Sequence, residues 1–314
     1  MKRAPTDFMN VRDEWVRRVL TRRDGFAGTV EEELRERKLR LQKRVFQRVN
    51  RSRLSGHQEV ALILGCQRSG TTLLLDIFAE DLRTATFPEV SVLSRPVGGR
   101  LRLRPIPEIR RHVERLAVPL VVLKPIVESQ NALDLLEGLE NSHVIWMFRK
   151  FDSVATSDLA LFGTGNGVRN LQLLLSNEPP NWRAEFVPPA TRAVLNRFFA
   201  PDMPPHDAAA LFWWARNTLF FDRGLNQRAD VCLCAYEDLV SDPVVTMRTI
   251  YDFLGVEFPD RDITKRVHGD ARNPADAALI SPDVRAVCED MLARLRASSV
   301  TIRVDRRDRD RESR

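Results

Sequence analysis

The densest group of chemically capable residues is Gly65-Cys66-Gln67-Arg68-Ser69-Gly70-Thr71-Thr72. It follows the apolar run Val60-Ala61-Leu62-Ile63-Leu64 and precedes Leu73-Leu74-Leu75-Asp76-Ile77-Phe78, so the pattern predicts a loop between a buried strand and a helix. Such a loop presents a nest of backbone N–H groups at a helix N-terminus, which is a ready phosphate site. The spacing matches G-x-x-x-x-G-K-[ST] with one exception. Thr71 stands where the lysine belongs, and a cation, Arg68, comes three residues earlier. γ-Phosphoryl transfer uses that lysine and a Mg²⁺ ion against the β- and γ-phosphates, so the loop supports such transfer poorly. Arg68, the backbone and the hydroxyls of Thr71 and Thr72 suffice for a single phosphate carrying a sulfate.

Further polar residues stand at the ends of other apolar runs. Arg149 closes Val144-Ile145-Trp146-Met147-Phe148, and Ser157 follows it by eight residues, on the next helix. Both can approach one anion, which the arginine would hold bidentately, at the edge where open α/β folds collect ligands. Lys124 ends Leu120-Val121-Val122-Leu123 and is followed by Pro125. A lone cation there suits charge stabilisation, with a salt bridge as the alternative. Three groups could serve as a base: Glu89 in Phe87-Pro88-Glu89-Val90, Glu128 just past the lysine strand, and His112 in a charged helix.

These residues need a scaffold that brings strand ends together. Strands are predicted at 60–64, 120–123, 143–148 and 231–235, separated by helices at 129–140, 153–159, 207–226 and 244–254. Strands alternating with helices imply an α/β fold with a central parallel sheet flanked by helices, of the P-loop nucleotide-binding type. Residues 1–56 read as an N-terminal helical extension. Phe8, Val11, Trp15, Val16 and Leu20 recur at helical spacing, and Leu34, Leu41, Val45 and Val49 form a second helical face. The main domain is expected over 57–300. Within it, 160–206 carries Gly163, Gly165 and Gly167 and the pairs Pro179-Pro180, Pro188-Pro189 and Pro204-Pro205, so it reads as a loop-rich lid or substrate-binding insertion. Residues 301–314 alternate Arg with Asp and Glu and are expected to form a disordered charged tail.

The 314 residues are 43% hydrophobic, enough for a sizeable core, and the formal charge of +6 favours small anions over nucleic acid. No membrane span and no secretory leader are read, so the expected location is cytoplasmic. Cys66, Cys232, Cys234 and Cys288 are sparse and read as reduced thiols, with Cys232 and Cys234 on one strand face as core residues. Phe212, Trp213 and Trp214 read as helix core.

Three segments together resemble the sulfotransferases that use 3′-phosphoadenosine 5′-phosphosulfate (PAPS). The first is Gln67-Arg68-Ser69-Gly70-Thr71-Thr72-Leu73-Leu74, similar to the 5′-phosphosulfate loop of tyrosylprotein, carbohydrate and bacterial members. The second is the strand ending in Arg149 with Ser157 beyond it, a pair that the resemblance assigns to the carrier's 3′-phosphate. The third is Tyr236-Glu237-Asp238-Leu239, with Phe253-Leu254-Gly255 downstream. It implies an adenine contact for Tyr236 and structural roles for Glu237 and Asp238. The resemblance spans about 60–255.

It further implies sulfuryl transfer to a hydroxyl or amine, release of adenosine 3′,5′-bisphosphate and no metal requirement. Ile126 occupies the position of the histidine base of the cytosolic members, so the tyrosylprotein-like branch is the better guide, and it points to Glu89 as base. Lys124 and Arg68 are then the cations at the leaving phosphate. A C-terminal basic segment would close the site, with Lys265, Arg266, Gly269 and Arg272 in the right region. The acceptor class stays open among small molecules, glycans, lipids and peptides, with Phe162, Trp182, Phe186, Phe198 and Phe199 hinting at an apolar pocket. The N-terminal helices offer a homodimer contact. The competing readings are a P-loop kinase or other nucleotide phosphotransferase, and a catalytically silent carrier-binding protein.

Overall fold

The computed structural model describes residues 30–97, 100–176, 181–267 and 279–312. Five parallel strands form the centre: β1 (Glu59–Gly65), β2 (Thr84–Phe87), β5 (Leu120–Leu123), β6 (Ser142–Phe148) and β7 (Val231–Ala235), in the order β2-β5-β1-β6-β7. A separate antiparallel hairpin joins β3 (Ser94–Val97) and β4 (Arg100–Leu103). Every residue of β1 and β5 is buried, as continuous apolar runs covered on both faces must be.

Alternation along the strands divides the core. Leu62, Leu64, Val121, Leu123, Val144, Trp146 and Phe148 face one side, while Ala61, Ile63, Val122, Ile145 and Met147 face the other. On the first side lie α4 (Ile106–Val113), α5 (Ala132–Gly138), α6 (Phe151–Phe162), α7 (Asn166–Leu175), α9 (Pro205–Asp222) and α12 (Pro282–Glu312). The second side is covered by α3 (Thr71–Glu80) and by α11 (Pro243–Phe253), which follows the short α10 (Tyr236–Ser241). Phe212 and Trp213 on α9 are buried, and so are Cys232 and Cys234 on β7, as expected. All four cysteines are free thiols. Truncating a fully buried Leu62 or Leu64 to Ala costs about 2–5 kcal/mol in such a core.

The register sets the site. Phe87 pairs with Leu123, Gly65 with Met147, and Phe148 with Ala235. The chain therefore leaves the strands at one level, at the carboxyl edge of the sheet.

Several elements differ from the sequence expectation. β2 and the β3–β4 hairpin were not foreseen. Each is four residues long and, unlike the equally short β5, is not a continuous apolar run. The segment expected as a helix over 129–140 opens with a 3₁₀ turn, Ile126–Asn131, before α5. Residues 160–206 are more regular than a loop-rich insertion. They hold α7, a 3₁₀ turn at Trp182–Ala184 and α8 (Pro189–Phe198). The prolines read as breakers are helix starters, since Pro189 and Pro205 sit at first helical positions where no N–H is needed. Residues 301–312 continue α12 instead of forming an unstructured tail. No Gly or Pro follows Pro282, so nothing in the sequence stops that helix. At the other end, α1 (Val30–Val49) and the short α2 (Arg51–Leu54) form the described part of the N-terminal extension. Phe8 to Leu20 lie outside the described residues. No helix among the described residues is long and apolar enough to cross a membrane.

Candidate active site

The loop after β1 is held by its backbone. Ser129 Oγ accepts from the Gly65 N–H (3.1 Å) and donates to the Ile126 carbonyl (2.9 Å), which ties the strand end to the 3₁₀ turn. Gly65, Arg68 and Gly70 have φ of 126°, 65° and 87°. The left-handed turn at Arg68 costs about 1–2 kcal/mol, a strain that suits a ligand-binding loop. Gly70 caps α3, which has no side-chain cap and no acidic residue in its first turn, so its first N–H groups are available to an anion. Ser69 Oγ is buried with no hydrogen-bond partner. Burial pushes the Cys66 thiol up to about 12, so it is a packing group and not a nucleophile.

Arg68 Nε donates to Ser157 Oγ at 3.0 Å, bringing the first and second sequence segments together. Asp158, the next residue, accepts from Gln67 Nε2 (2.6 Å) and from Asn166 Nδ2 (2.9 Å), which pins α6 against the loop. Desolvation raises the Asp158 pKa against those hydrogen bonds and the Arg68 charge. The Arg68 pKa is lowered, by desolvation first and also by the Arg149 charge, with Asp158 opposing. Two guanidiniums that repel one another beside a helix N-terminus are relieved by an anion between them.

The third segment joins through the β6–β7 register. The Arg149 guanidinium lies over the Tyr236 ring, 4.1 Å from its centre. Glu237 Oε1 accepts from the Lys150 N–H (2.9 Å), a structural role. A Cβ on Gly70 would stand 2.4 Å from Tyr236 Cδ2, so the loop and the tyrosine are in close contact.

On the opposite flank, Lys124 Nζ donates to Thr72 Oγ1 at 3.2 Å. The Lys124 backbone N–H bonds the Phe87 carbonyl (3.0 Å), so Lys124 and Glu89 leave paired strands side by side. Glu89 Oε1 accepts from the Val127 N–H (3.2 Å). Desolvation raises the Glu89 pKa, and the Lys124 charge, that N–H and Arg183 pull it back. Glu128 is committed elsewhere, since Arg102 holds it at 2.7 and 3.0 Å and the Leu103 N–H and Asn131 add to the network. These bonds lower its pKa, which leaves it a poor base. His112 packs edge-on against Phe87.

Gln67, Arg68, Ser69, Gly70, Thr71, Thr72, Arg149, Ser157 and Tyr236 thus form one neighbourhood, with Lys124 and Glu89 on its β5–β2 flank. This donor-rich set of backbone N–H groups, arginines, a lysine and an orphaned hydroxyl fits a phosphate or sulfate ester. Gly269 and Arg272 lie outside the described residues, while Lys265 and Arg266 occupy a turn after Thr264. Phe198 and Phe199 pack against the core, and Phe186 lies under Arg223 at 3.9 Å. Sequence reasoning missed Ser129, Asp158 and Arg183. Asp158 adjoins Ser157 and could have been suspected, but nothing local marks the other two. A cavity of about 430 Å³ lies at the far end of the sheet beside Gln58, Val118 and Asn141, away from all these groups.

No family model matches the chain. No curated protein matches it. Among solved structures, it is similar to the sulfotransferase domain from the curacin biosynthetic pathway, with 18% identity, a TM-score of 0.45 and coverage of 68% of this chain and 79% of that one. A sulfotransferase from Alicyclobacillus acidocaldarius gives 19% identity, a TM-score of 0.44 and coverage of 78% and 96%. A mouse sulfotransferase complexed with PAP gives 12% identity, a TM-score of 0.40 and coverage of 81% and 90%. At these identities and TM-scores the function has to be argued from the residues of the site.

Proposed function

We propose that the chain is a sulfotransferase that moves the sulfuryl group of PAPS to a hydroxyl or amine of its acceptor. The observation that carries this reading is the contact of Ser157 with Arg68 of a loop that has no lysine at Thr71. It brings the segment that carries Arg149 and Ser157 against the loop at the N-terminus of α3, as a nucleotide with phosphates at both ends of its ribose would require.

In this reading the N–H groups of Thr71 and Thr72, with Arg68, hold the 5′-phosphosulfate. Arg149 and Ser157 hold the 3′-phosphate, and Tyr236 lies near the adenine. Glu89 takes the proton of the acceptor hydroxyl as the new O–S bond forms. The S–O bond to the 5′-phosphate breaks, and its electron pair stays on the phosphate oxygen of adenosine 3′,5′-bisphosphate. Lys124, anchored on Thr72 beside the loop, and Arg68 are the cations that stabilise that charge. The raised pKa of Glu89 makes it a stronger base than an ordinary surface glutamate.

Calorimetry with adenosine 3′,5′-bisphosphate and with ATP plus Mg²⁺ tests the reading. The bisphosphate is expected to bind more tightly, and tighter binding of ATP would replace this function with a phosphotransferase.

A further inference from the structure

Helix α1 is held to the domain along one side. Arg35 pairs with Glu80, Lys43 Nζ donates to the Thr84 carbonyl (2.8 Å) and Gln47 Nε2 donates to the Leu82 carbonyl (3.0 Å), with Leu39 and Phe46 half-buried on the same side. The opposite side carries Leu34, Leu41, Val45 and Val49, which are 57%, 62%, 54% and 75% exposed. Their spacing of seven, four and four residues sets them in one stripe. Single apolar residues scattered over a surface are ordinary, but a stripe along most of a helix is not.

The flank of the stripe is basic. Arg37, Arg44 and Arg48 are exposed, and each follows an aliphatic residue of the stripe by three positions, so they form a row beside it. Exposed Lys38 fills the gap between Leu34 and Leu41. A lysine stem lies along apolar surface while its ammonium reaches out of it. The acidic residues of the helix stand elsewhere. Glu31, Glu32 and Glu33 are confined to its first turn, and Glu36 is paired with Arg40 at 3.2 Å. Beyond Val49, exposed Arg51 and Arg53 on α2 continue the basic character.

We propose that this side of α1 docks on an anionic lipid surface, with the stripe entering the headgroup boundary and the arginine row level with the lipid phosphates. Area and charge favour this occupant over a second copy of the chain. A stripe of this length on one helix covers only about 200 Å². A stable dimer buries about 800 Å² per partner. Two copies laid antiparallel, stripe to stripe, would also bring each arginine row against its like. The inference is independent of the sulfuryl-transfer reading.

The test is co-sedimentation of the full chain with vesicles of phosphatidylcholine alone and of phosphatidylcholine mixed equally with phosphatidylglycerol. Binding is expected only to the anionic vesicles. Replacing Arg37, Arg44 and Arg48 together by Gln should weaken it roughly a hundredfold. Leu41→Ser with Val45→Ser keeps the charge and should weaken it by roughly tenfold. Bisphosphate affinity should be unchanged in both variants. Equal binding to the two kinds of vesicle, or binding to neither, overturns the proposal. So does full binding by the serine variant, since net charge would then be acting without the stripe. A dimer of the parent in sedimentation equilibrium that the serine variant lacks would also overturn it and assign the stripe to a second copy. Bisphosphate binding is measured without vesicles, so its absence would remove the sulfuryl-transfer reading and leave the docking surface standing.

Discussion

Glu89 and Lys124 form the pair on which the proposed chemistry turns. Desolvation holds the Glu89 pKa up while the lysine charge holds it down, and burial wins. Protonated Glu89 cannot accept a proton, so kcat/KM should fall as pH drops through this raised pKa. The acid limb should therefore lie above that of an ordinary glutamate. Stability runs the other way. A carboxyl whose folded pKa is raised favours the fold while protonated, below its unfolded value, and that contribution is lost as pH rises through the folded value. Glu89→Gln should therefore be at least as stable as the parent at neutral pH, keep its bisphosphate affinity and lose transfer by about 10²–10⁴-fold. A pH–rate profile, thermal unfolding and calorimetry check these outcomes together. Full transfer activity in the variant would remove Glu89 from the role of base.

The loop between β1 and α3 works as a unit because its backbone bends where side chains cannot follow. Gly70 combines a φ of 87° with only 2.4 Å between its missing Cβ and the Tyr236 ring. Gly163, at the end of α6, has a similar φ of 81° but nothing within 4 Å. Gly70→Ala should displace Tyr236, tilt the first N–H groups of α3 and weaken bisphosphate binding by roughly tenfold or more. Gly163→Ala should cost about 1–3 kcal/mol in stability, because its ψ of 168° lies where essentially only glycine is at ease, and leave binding unchanged. Calorimetry and thermal unfolding on the two variants separate the clash from the strain. Equal bisphosphate affinity in both would show that the contact with Tyr236 does not shape the site.

The fold as a whole also has to hold its edge strand. Among the described residues β2 pairs only with β5, yet it carries Glu89 just beyond its end. α1 supports the turn that leads into it. Lys43 Nζ donates to the Thr84 carbonyl (2.8 Å), Gln47 Nε2 donates to the Leu82 carbonyl (3.0 Å), and Arg35 pairs with the buried Glu80, which also meets Arg261 at 3.3 Å. Burial lowers the Lys43 pKa to about 8, so its charge is held at a cost that the nearby Asp81 and Glu80 carboxylates only partly offset. Replacing Lys43 and Gln47 together by Ala should lower Tm by about 2–4 °C, for a net loss near 1 kcal/mol in a domain of this size. Bisphosphate affinity should not change. An unchanged Tm would mean that α1 does not brace the edge.

How much was legible beforehand differs between these levels. Continuous apolar runs marked β1, β5, β6 and β7, because strands buried on both faces carry little else. The loop was legible because glycine, a cation and hydroxyls stand at fixed offsets between a strand and a helix. Residues 160–206 were misread because a proline pair looks the same whether it breaks a chain or opens a helix, and only packing against α9 distinguishes the two. Two of the site's contacts could come from the tertiary structure alone. Lys124 meets Thr72, and Arg149 meets Tyr236, because parallel strands far apart in sequence end at one level. Arg216 looked like any other arginine of an arginine-rich chain. It is nevertheless only 4% exposed on α9, because burial is set by the elements packed around a residue, not by its neighbours in the chain.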